Sequence, residues 1–182
     1  MRNIFISLFL LISFNVSAQN DEERWVDSVF NSLTLEQRVG QLFNLRANDP
    51  NKDFNTYIDD YIERYNIGGV TFFRTDAEKL LTKANEWQAK SQTPMMIAID
   101  GEWGIGMRIN DGISYPYQMT LGAVTNDSLI AEMGRQIAEQ CTRIGINVNF
   151  APTVDVNNEP NNPVIGFRSF GENADNVARK GL

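Results

Sequence analysis

The stretch Met95-Met-Ile-Ala-Ile-Asp-Gly-Glu-Trp-Gly-Ile-Gly-Met-Arg108 carries the strongest fold signal in the sequence. Its apolar beginning, residues 95–99, is typical of a buried strand, and this strand leads directly into the acid Asp100. A carboxylate at the end of a buried strand is costly unless it has a partner or a ligand. In parallel α/β folds, ligands bind at the carboxyl ends of the strands. The stretch therefore predicts a polar ligand site around Asp100.

The sequence on both sides of this stretch alternates strand and helix patterns. Apolar runs predict strands over residues 41–45, 68–73, 95–99 and 146–150. Helical spacing predicts helices over residues 21–33, 54–65, 77–90 and 127–144, with Asn126 and Gly145 as the caps of the last one. Thr34 and Gln37 have the spacing of a capping box for a further short helix.

About four strand–helix steps of this kind predict an α/β fold with a parallel sheet covered by helices. The pattern alone does not distinguish an open doubly wound sheet from a (β/α)₈ barrel. A complete barrel usually needs about 250 residues, which is more than the 182 present. If the fold is a barrel, these steps correspond to about half of it.

The first 18 residues are typical of a secretory signal peptide. Arg2 supplies a positive start, residues 4–14 form an apolar run, and Val16-Ser-Ala18 offers small residues for cleavage. We expect export from a bacterial cytoplasm, to the periplasm or beyond, with residues 19–182 as one domain. The alternative is an uncleaved anchor, but the apolar run is short for a membrane span. We expect no membrane insertion of the mature chain.

The composition excludes several classes of chemistry. The chain has no histidine, which excludes Ser-His-Asp and Cys-His nucleophilic schemes and histidine-ligated zinc or iron from these residues. A formal charge of −7 without basic clusters argues against nucleic acid as a partner. The single cysteine, Cys141, cannot form an internal disulfide, and its place in the helical pattern predicts a buried small hydrophobe.

Several residues of the central stretch could bind a ligand. Asp100 and Glu102 occupy alternate positions and could face one cleft, where paired carboxylates suit acid/base work, metal binding or recognition of sugar hydroxyls. The planar guanidinium of Arg108 suits fixed oxygen acceptors, and Trp103 offers a flat face for a sugar ring. The alternatives are a helix cap or turn acid, a surface salt bridge, and core packing. Gly104-Ile-Gly106 is weak as a phosphate loop, since no Gly-Lys-Ser/Thr follows.

A second group of polar residues follows in Asn147-Val-Asn-Phe-Ala-Pro-Thr-Val-Asp155. Its alternation of amides and apolar residues predicts a strand that ends in an acid. Buried asparagines need several partners, so we expect an organised polar network here. For Asn149 and Asp155, structural hydrogen bonding is favoured over catalysis. Arg168 follows in the segment Arg168-Ser-Phe-Gly-Glu172, and binding and structural roles are equally supported for it.

Taken together, six segments in order resemble the N-terminal domain of glycoside hydrolase family 3. They are Leu33-Thr-Leu-Glu-Gln-Arg-Val-Gly-Gln-Leu-Phe43, Ile67-Gly-Gly-Val-Thr-Phe-Phe73, Ile97-Ala-Ile-Asp-Gly-Glu102, Tyr115-Pro-Tyr-Gln-Met-Thr-Leu-Gly-Ala123, Gly145-Ile-Asn-Val-Asn-Phe-Ala-Pro-Thr-Val-Asp-Val156 and Asn162-Pro-Val-Ile-Gly-Phe-Arg-Ser-Phe-Gly-Glu172. The resemblance implies a (β/α)₈-type barrel and retaining exo-glycosidase chemistry without a metal or organic cofactor. It is strongest to bacterial β-N-acetylhexosaminidases, which act on N-acetylglucosamine of cell-wall fragments.

The resemblance also implies roles for individual residues. Asp100, Arg108 and Arg168 stand at positions that bind the terminal sugar in that group. We assign supporting roles to three further residues, Glu102, Asn149 and Asp155, with Glu102 mainly structuring its loop. Two residues depart from the family pattern: Trp103 replaces a glycine, and Phe167 stands where an acid or a small residue is common.

The resemblance places the acid/base pair and the nucleophile beyond Leu182, so we expect no catalytic residue in this chain and no turnover by it alone. We therefore expect it to be the first part of a longer enzyme. One alternative is a β-glucosidase or β-xylosidase of the same family. Another is a non-catalytic fragment that binds carbohydrate or self-associates, because half a barrel has two open sheet edges.

Overall fold

The computed structural model describes residues 20–50 and 53–182. The predicted signal peptide, residues 1–18, lies outside the described residues. The chain divides into two compact units, Met1–Leu33 and Thr34–Leu182. In the described part of the chain, no helix is both long enough and apolar enough to cross a membrane.

The described part of the first unit is one amphipathic helix, α1 (Asp21–Ser32). Asn20 and Glu23 form a reciprocal capping box at its start, and three acids occupy its first turn. Negative charge there is favourable because the amino end of a helix carries a partial positive charge. The prediction of a helix over residues 21–33 is confirmed.

The second unit contains a four-stranded sheet in which every neighbouring pair is parallel. The strands follow one another across the sheet in chain order. Their bounds are β1 (Asn44–Arg46), β2 (Gly69–Phe72), β3 (Met96–Ile99) and β4 (Val148–Asn149). The register places Val70 of β2 between Leu45 of β1 and Ile97 of β3. The predicted α/β class with a parallel sheet is confirmed.

Six helices accompany this sheet, and helices connect each strand to the next. They are α2 (Leu35–Gly40), α3 (Tyr57–Tyr65), α4 (Ala77–Lys90), α5 (Gln118–Gly122), α6 (Asp127–Arg143) and α7 (Ala174–Gly181). The capping box of Thr34 and Gln37 opens α2, and Asn126 caps α6, as the sequence predicts. Ile144 is the C-cap of α6, and Gly145 follows it with a φ of +77°, a left-handed conformation that glycine adopts readily.

Three predicted boundaries are wrong, two of strands and one of a helix. The strand predicted over residues 41–45 begins in a turn, the strand predicted over residues 146–150 is reduced to the two residues of β4, and the helix predicted from residue 54 begins at Tyr57. The apolar pattern reports burial, whereas a strand also needs a paired neighbour. Ile146 shows the difference, since it is buried but its N–H is bonded to the carbonyl of Cys141 at the end of α6.

The core of the second unit lies between the sheet and its helices. Phe72 and Trp87 are fully buried, and their rings pack with that of Phe54, with centroids 5.7–5.8 Å apart. Cys141 is buried in α6, as predicted, and burial raises the pKa of its thiol. The core holds the strands in place and leaves their carboxyl ends at one edge of the sheet.

Candidate active site

Polar and aromatic side chains gather where the strands end. Arg46 is the last residue of β1, Phe73 directly follows β2, Asp100 directly follows β3, and Asn149 is the last residue of β4. Because the strands are parallel, all four positions lie at the same edge of the sheet. This is the edge that carries ligands in folds of this class.

Asp100 is held by Arg108, which stands eight residues later on the loop that follows β3. The Nη2 of Arg108 donates to Oδ2 of Asp100 at 2.6 Å, and its Nε donates to the backbone oxygen of Asp100 at 2.9 Å. The two side chains are 33% and 19% exposed, so the pair is neither buried nor freely solvated. The pair places a carboxylate and a guanidinium, bonded to each other, where a ligand at the carboxyl ends of the strands could contact both.

The loop that carries Arg108 is anchored to the segment after β2. Thr75 donates its N–H to the carbonyl of Arg108 at 3.0 Å and accepts at its own carbonyl from Asn110 at 2.9 Å. Gly104 has a φ of +98°, and a Cβ there would lie 2.8 Å from the carbonyl oxygen of Ile113. Close packing within the loop therefore accounts for its glycine, and the weak phosphate-loop hypothesis gains no support.

Glu102 has a different environment from Asp100. Its carboxylate is 2% exposed, and Arg168, 66 residues later, binds it. The Nε of Arg168 lies 2.9 and 3.1 Å from the two carboxylate oxygens, and its Nη2 donates to one of them as well. A buried carboxylate without such a partner would be strongly destabilising. The hydrogen bond to Glu102 raises the pKa of Arg168, and the charges of Asp100 and Asp155 act in the same direction.

The structure thus separates residues that the sequence allowed to act together. Asp100 and Glu102 do not share one partner in a common cleft, because each is bound by its own arginine. Arg168 ends a 3₁₀ turn, Gly166–Arg168, and does not follow a strand. Its side chain bonds to Glu102 and to the carbonyl of Val164 and is 32% exposed, so its predicted role as a sugar ligand stays a prediction.

The asparagines of the β4 segment bond to the backbone of β3 and the loop behind it. The Oδ1 of Asn147 accepts the N–H of Ile97, and the Oδ1 of Asn149 accepts the N–H of Gly101, both at 2.9 Å. Gly101 stands between Asp100 and Glu102, so Asn149 helps to fix both acids. Asp155 is exposed, and its backbone oxygen accepts the hydroxyl of Ser169 next to Arg168.

Three residues of this edge, Arg46, Asn48 and Phe73, are not indicated as site residues by the sequence patterns. The guanidinium carbon of Arg46 lies 4.3 Å from the ring centre of Phe73, and that of Arg108 lies 5.1 Å from it. Fully buried Asn48 accepts the N–H of Phe73 at 3.0 Å and so fixes the backbone that carries the ring. Their positions at the ends of β1 and β2 were the available signal. No group of three or more His, Cys, Asp or Glu suited to a metal ion occurs among residues 20–50 and 53–182.

Comparison with known proteins agrees with this geometry. The family model described as "Glycosyl hydrolase family 3 N terminal domain" matches residues 34–182, which is the whole second unit. The chain belongs to glycoside hydrolase family 3. All the candidate site residues lie within the matched region.

Relatives within family 3 are similar to this chain over part of their length. The beta-hexosaminidase A of Pseudoalteromonas piscicida is 41% identical over 138 residues, which are 69% of this chain and 23% of that protein. The beta-N-acetylglucosaminidase/beta-glucosidase of Cellulomonas fimi is 24% identical over 165 residues, 91% of this chain and 29% of that protein. The chain therefore spans about a quarter of the length of these relatives.

A solved family 3 structure shows the same fold. The β-N-acetylglucosaminidase from Paenibacillus sp. str. FPU-7 superimposes with a TM-score of 0.72 at 35% sequence identity. The similarity covers 82% of this chain and 30% of that one. The parallel sheet and its helices are thus arranged as in a known glycosidase of this family.

Proposed function

We propose that this chain forms part of the sugar-binding wall of a retaining, exo-acting glycosidase that releases terminal β-linked N-acetylglucosamine. The observation that carries the proposal is the partly exposed Asp100–Arg108 pair at the carboxyl end of β3. A carboxylate accepts hydrogen bonds from adjacent hydroxyls, and a guanidinium donates to ring substituents, so the pair matches the edge of a pyranose. The names of the similar proteins support N-acetylglucosamine as the sugar.

We propose further that the sheet is the first half of a (β/α)₈ barrel. Neighbouring strands follow strict chain order from β1 to β4. In a barrel the strands succeed one another in this way, whereas a doubly wound sheet reverses its order at a switch point. The similarity to the Paenibacillus glycosidase supports the same assignment.

The residues described here would bind and orient the sugar and would not break the bond. Retaining hydrolysis in the usual scheme needs a nucleophile and an acid/base with carboxyl groups about 5 Å apart. Asp100 and Glu102 are each bound by an arginine, which suits a fixed acceptor and a structural anchor better than proton transfer. We therefore assign neither catalytic role to them.

The test of this function is turnover by the protein produced from the complete reading frame that contains these residues. We expect hydrolysis of an aryl β-N-acetylglucosaminide with retention of anomeric configuration. Asp100→Asn should lower kcat/KM about 100-fold, which is about 2.7 kcal/mol of transition-state binding. The control is Asp60→Asn, which alters an exposed acid of α3 that pairs with Arg64. Unchanged turnover in Asp100→Asn would contradict the proposal.

A β-glucosidase or β-xylosidase of the same family is the second candidate. The name of the similar Cellulomonas fimi protein includes beta-glucosidase beside beta-N-acetylglucosaminidase, which supports β-glucosidase as a candidate. The same protein is assayed with aryl β-glucoside and β-xyloside. We expect kcat/KM to be highest for the N-acetylglucosaminide, and a higher value for either of the others would reassign the substrate.

We also propose that the protein is exported and that residues 1–18 are removed. The charged start, apolar run and small residues before Gln19 support this. Sequencing of the amino terminus of the protein recovered from the periplasm or the medium is expected to begin at Gln19. Recovery with Met1 retained in the cytoplasm would contradict it.

Self-association of the 182-residue chain is the remaining proposal. Within the described sheet, β1 and β4 are the two edge strands, and edge strands offer unpaired backbone groups to another chain. Light scattering of the purified chain should show a dimer or larger species. A monomer at all concentrations tested would exclude this alternative.

A further inference from the structure

Three aromatic side chains form a continuous cluster beside the Glu102–Arg168 pair. Trp103, Tyr117 and Phe167 make up this cluster, which we call the aromatic rim. The ring centroids of Trp103 and Tyr117 are 4.6 Å apart, and those of Tyr117 and Phe167 are 4.7 Å apart. Both contacts are edge-to-face, with Tyr117 in the middle. The two departures from the family pattern, Trp103 and Phe167, therefore meet on one ring.

Each ring of the rim is adjacent in sequence to one anchoring side chain. Glu102 precedes Trp103, Gln118 follows Tyr117, and Arg168 follows Phe167. The other two anchors both bond to Glu102. Arg168 binds its carboxylate, and the Nε2 of Gln118 donates to its backbone oxygen at 2.6 Å. Glu102 and Gln118 are 4% and 1% exposed. The rim is thus carried by three segments that are tied together beneath it.

The rings themselves are open to solvent. Phe167 is 59% exposed and Tyr117 is 42% exposed, while Trp103 is half-buried. Core packing does not account for Phe167 and Tyr117, because more than a third of each residue is exposed. Adjacent exposed apolar side chains on a rigid base, bordered by polar groups, are typical of a ligand-binding surface.

The rim adjoins the proposed sugar pocket. Glu102 stands two residues after Asp100, and its carboxylate is bound by Arg168, the residue next to Phe167. The backbone oxygen of exposed Asp155 accepts the hydroxyl of Ser169, which follows Arg168. The surface therefore combines apolar ring faces with a partly exposed guanidinium and a nearby exposed carboxylate. A pyranose has the complementary character, with an apolar face of C–H groups and a periphery of hydroxyls.

We propose that the aromatic rim is the binding subsite for the second sugar ring of the substrate, the ring to which the terminal residue is linked. This rests on the proposed function, because Asp100 and Arg108 must hold the terminal ring for the next ring to reach the rim. The rim then adds affinity only for ligands of two or more sugars. A monosaccharide leaves it empty.

The test compares N-acetylglucosamine with its β-1,4-linked disaccharide as ligands of the 182-residue chain, by isothermal titration calorimetry. The disaccharide should bind about tenfold more tightly, the amount expected for one aromatic contact of about 1.4 kcal/mol. Phe167→Ala should remove this advantage and leave the affinity for the monosaccharide within about twofold. Phe167→Tyr keeps a ring at this position and should retain the advantage.

The matched control is Phe43→Ala, since Phe43 is 53% exposed and precedes β1, at the opposite edge of the sheet. It should change neither affinity. Monosaccharide binding without any disaccharide advantage, or an advantage that survives in Phe167→Ala, would overturn the subsite and leave the proposed function standing. A wild-type chain that binds neither sugar would overturn the assignment of Asp100 and Arg108, and the subsite with it.

Discussion

The two ion pairs behind β3 differ in nearly every respect except their chemistry. Asp100 and Arg108 are eight residues apart, and a third of the Asp100 side chain is exposed. Glu102 and Arg168 are 66 residues apart, and the Glu102 side chain is 2% exposed. Asp100 and Glu102, two positions apart in the sequence, therefore have different roles. The partly exposed Asp100–Arg108 pair can be reached by a ligand, whereas the pair with the buried Glu102 carboxylate joins distant segments of the chain.

The largest effect should come from breaking the buried pair. Arg168→Ala leaves the Glu102 carboxylate buried without its cation, which should lower the free energy of unfolding by about 3 kcal/mol. Arg108→Ala breaks the partly exposed pair and should lower it by about 1 kcal/mol or less. Urea denaturation of the two variants measures the difference. Equal losses would mean that the two pairs do not differ in the way that their burial indicates.

The next effect is on sugar binding and not on stability. Asp100→Asn should weaken the binding of N-acetylglucosamine at least tenfold, about 1.4 kcal/mol or more, because a charged acceptor is lost. Its stability should change little, since the Nε of Arg108 still bonds to the backbone oxygen at this position. Glu102→Gln should have the opposite effect. It should lower the free energy of unfolding and change the affinity for N-acetylglucosamine little. Calorimetric titration and urea denaturation of both variants test this, and a common pattern in the two would contradict it.

A smaller effect is expected at Phe73, whose ring lies beside Arg46 and Arg108. Phe73→Leu removes the cation–π contact and should weaken sugar binding about two- to fivefold, or about 0.5–1 kcal/mol. Phe73→Tyr keeps the contact and serves as the matched control. In an Arg108→Ala background the Phe73→Leu change should have no further effect on binding. An undiminished effect there would show that Phe73 does not act through Arg108.

The smallest effect concerns the pair Asp59–Lys90, in which the acid is as exposed as Asp100 but the cation is more exposed than Arg108. It serves as the reference for both pairs behind β3. The hydrogen bond from Lys90 lowers the pKa of Asp59 below its ordinary 3.8. The pair therefore adds stability above pH 3.8, and this contribution is lost as the pH falls through the lowered pKa of the folded state. Asp59→Asn should reduce the dependence of the free energy of unfolding on pH, and only in this acid range. A loss at pH 7 as large as that of Arg168→Ala would contradict the ranking by burial.

Much of the fold follows from local patterns in the sequence. The helical spacing of α4 and α6 and the caps at Thr34 and Asn126 each depend on residues a few positions apart, and the structure has them where they are predicted. Strand bounds are different, because a strand exists only where a neighbour pairs with it. The predicted strands therefore extend beyond the paired ones, before the start of β1 and on both sides of β4.

The candidate site divides in the same way. Arg108 lies on the same loop as Asp100, so a contact between them could be anticipated, whereas nothing local connects Glu102 with Arg168. The sequence predicts Phe73 as the last residue of a buried strand, and only the fold brings its ring beside two guanidinium groups.

The most direct test of the account is whether the terminal sugar contacts the Asp100–Arg108 pair. The side-chain Nε–H signal of Arg108 is followed by ¹⁵N-resolved NMR while the 182-residue chain is titrated with N-acetylglucosamine, alongside the signal of Arg168. We predict a saturable shift of the Arg108 signal that is lost in Asp100→Asn. An Arg108 signal that does not move, or that moves equally in Asp100→Asn, would contradict the assignment of this edge of the sheet as the sugar-binding wall.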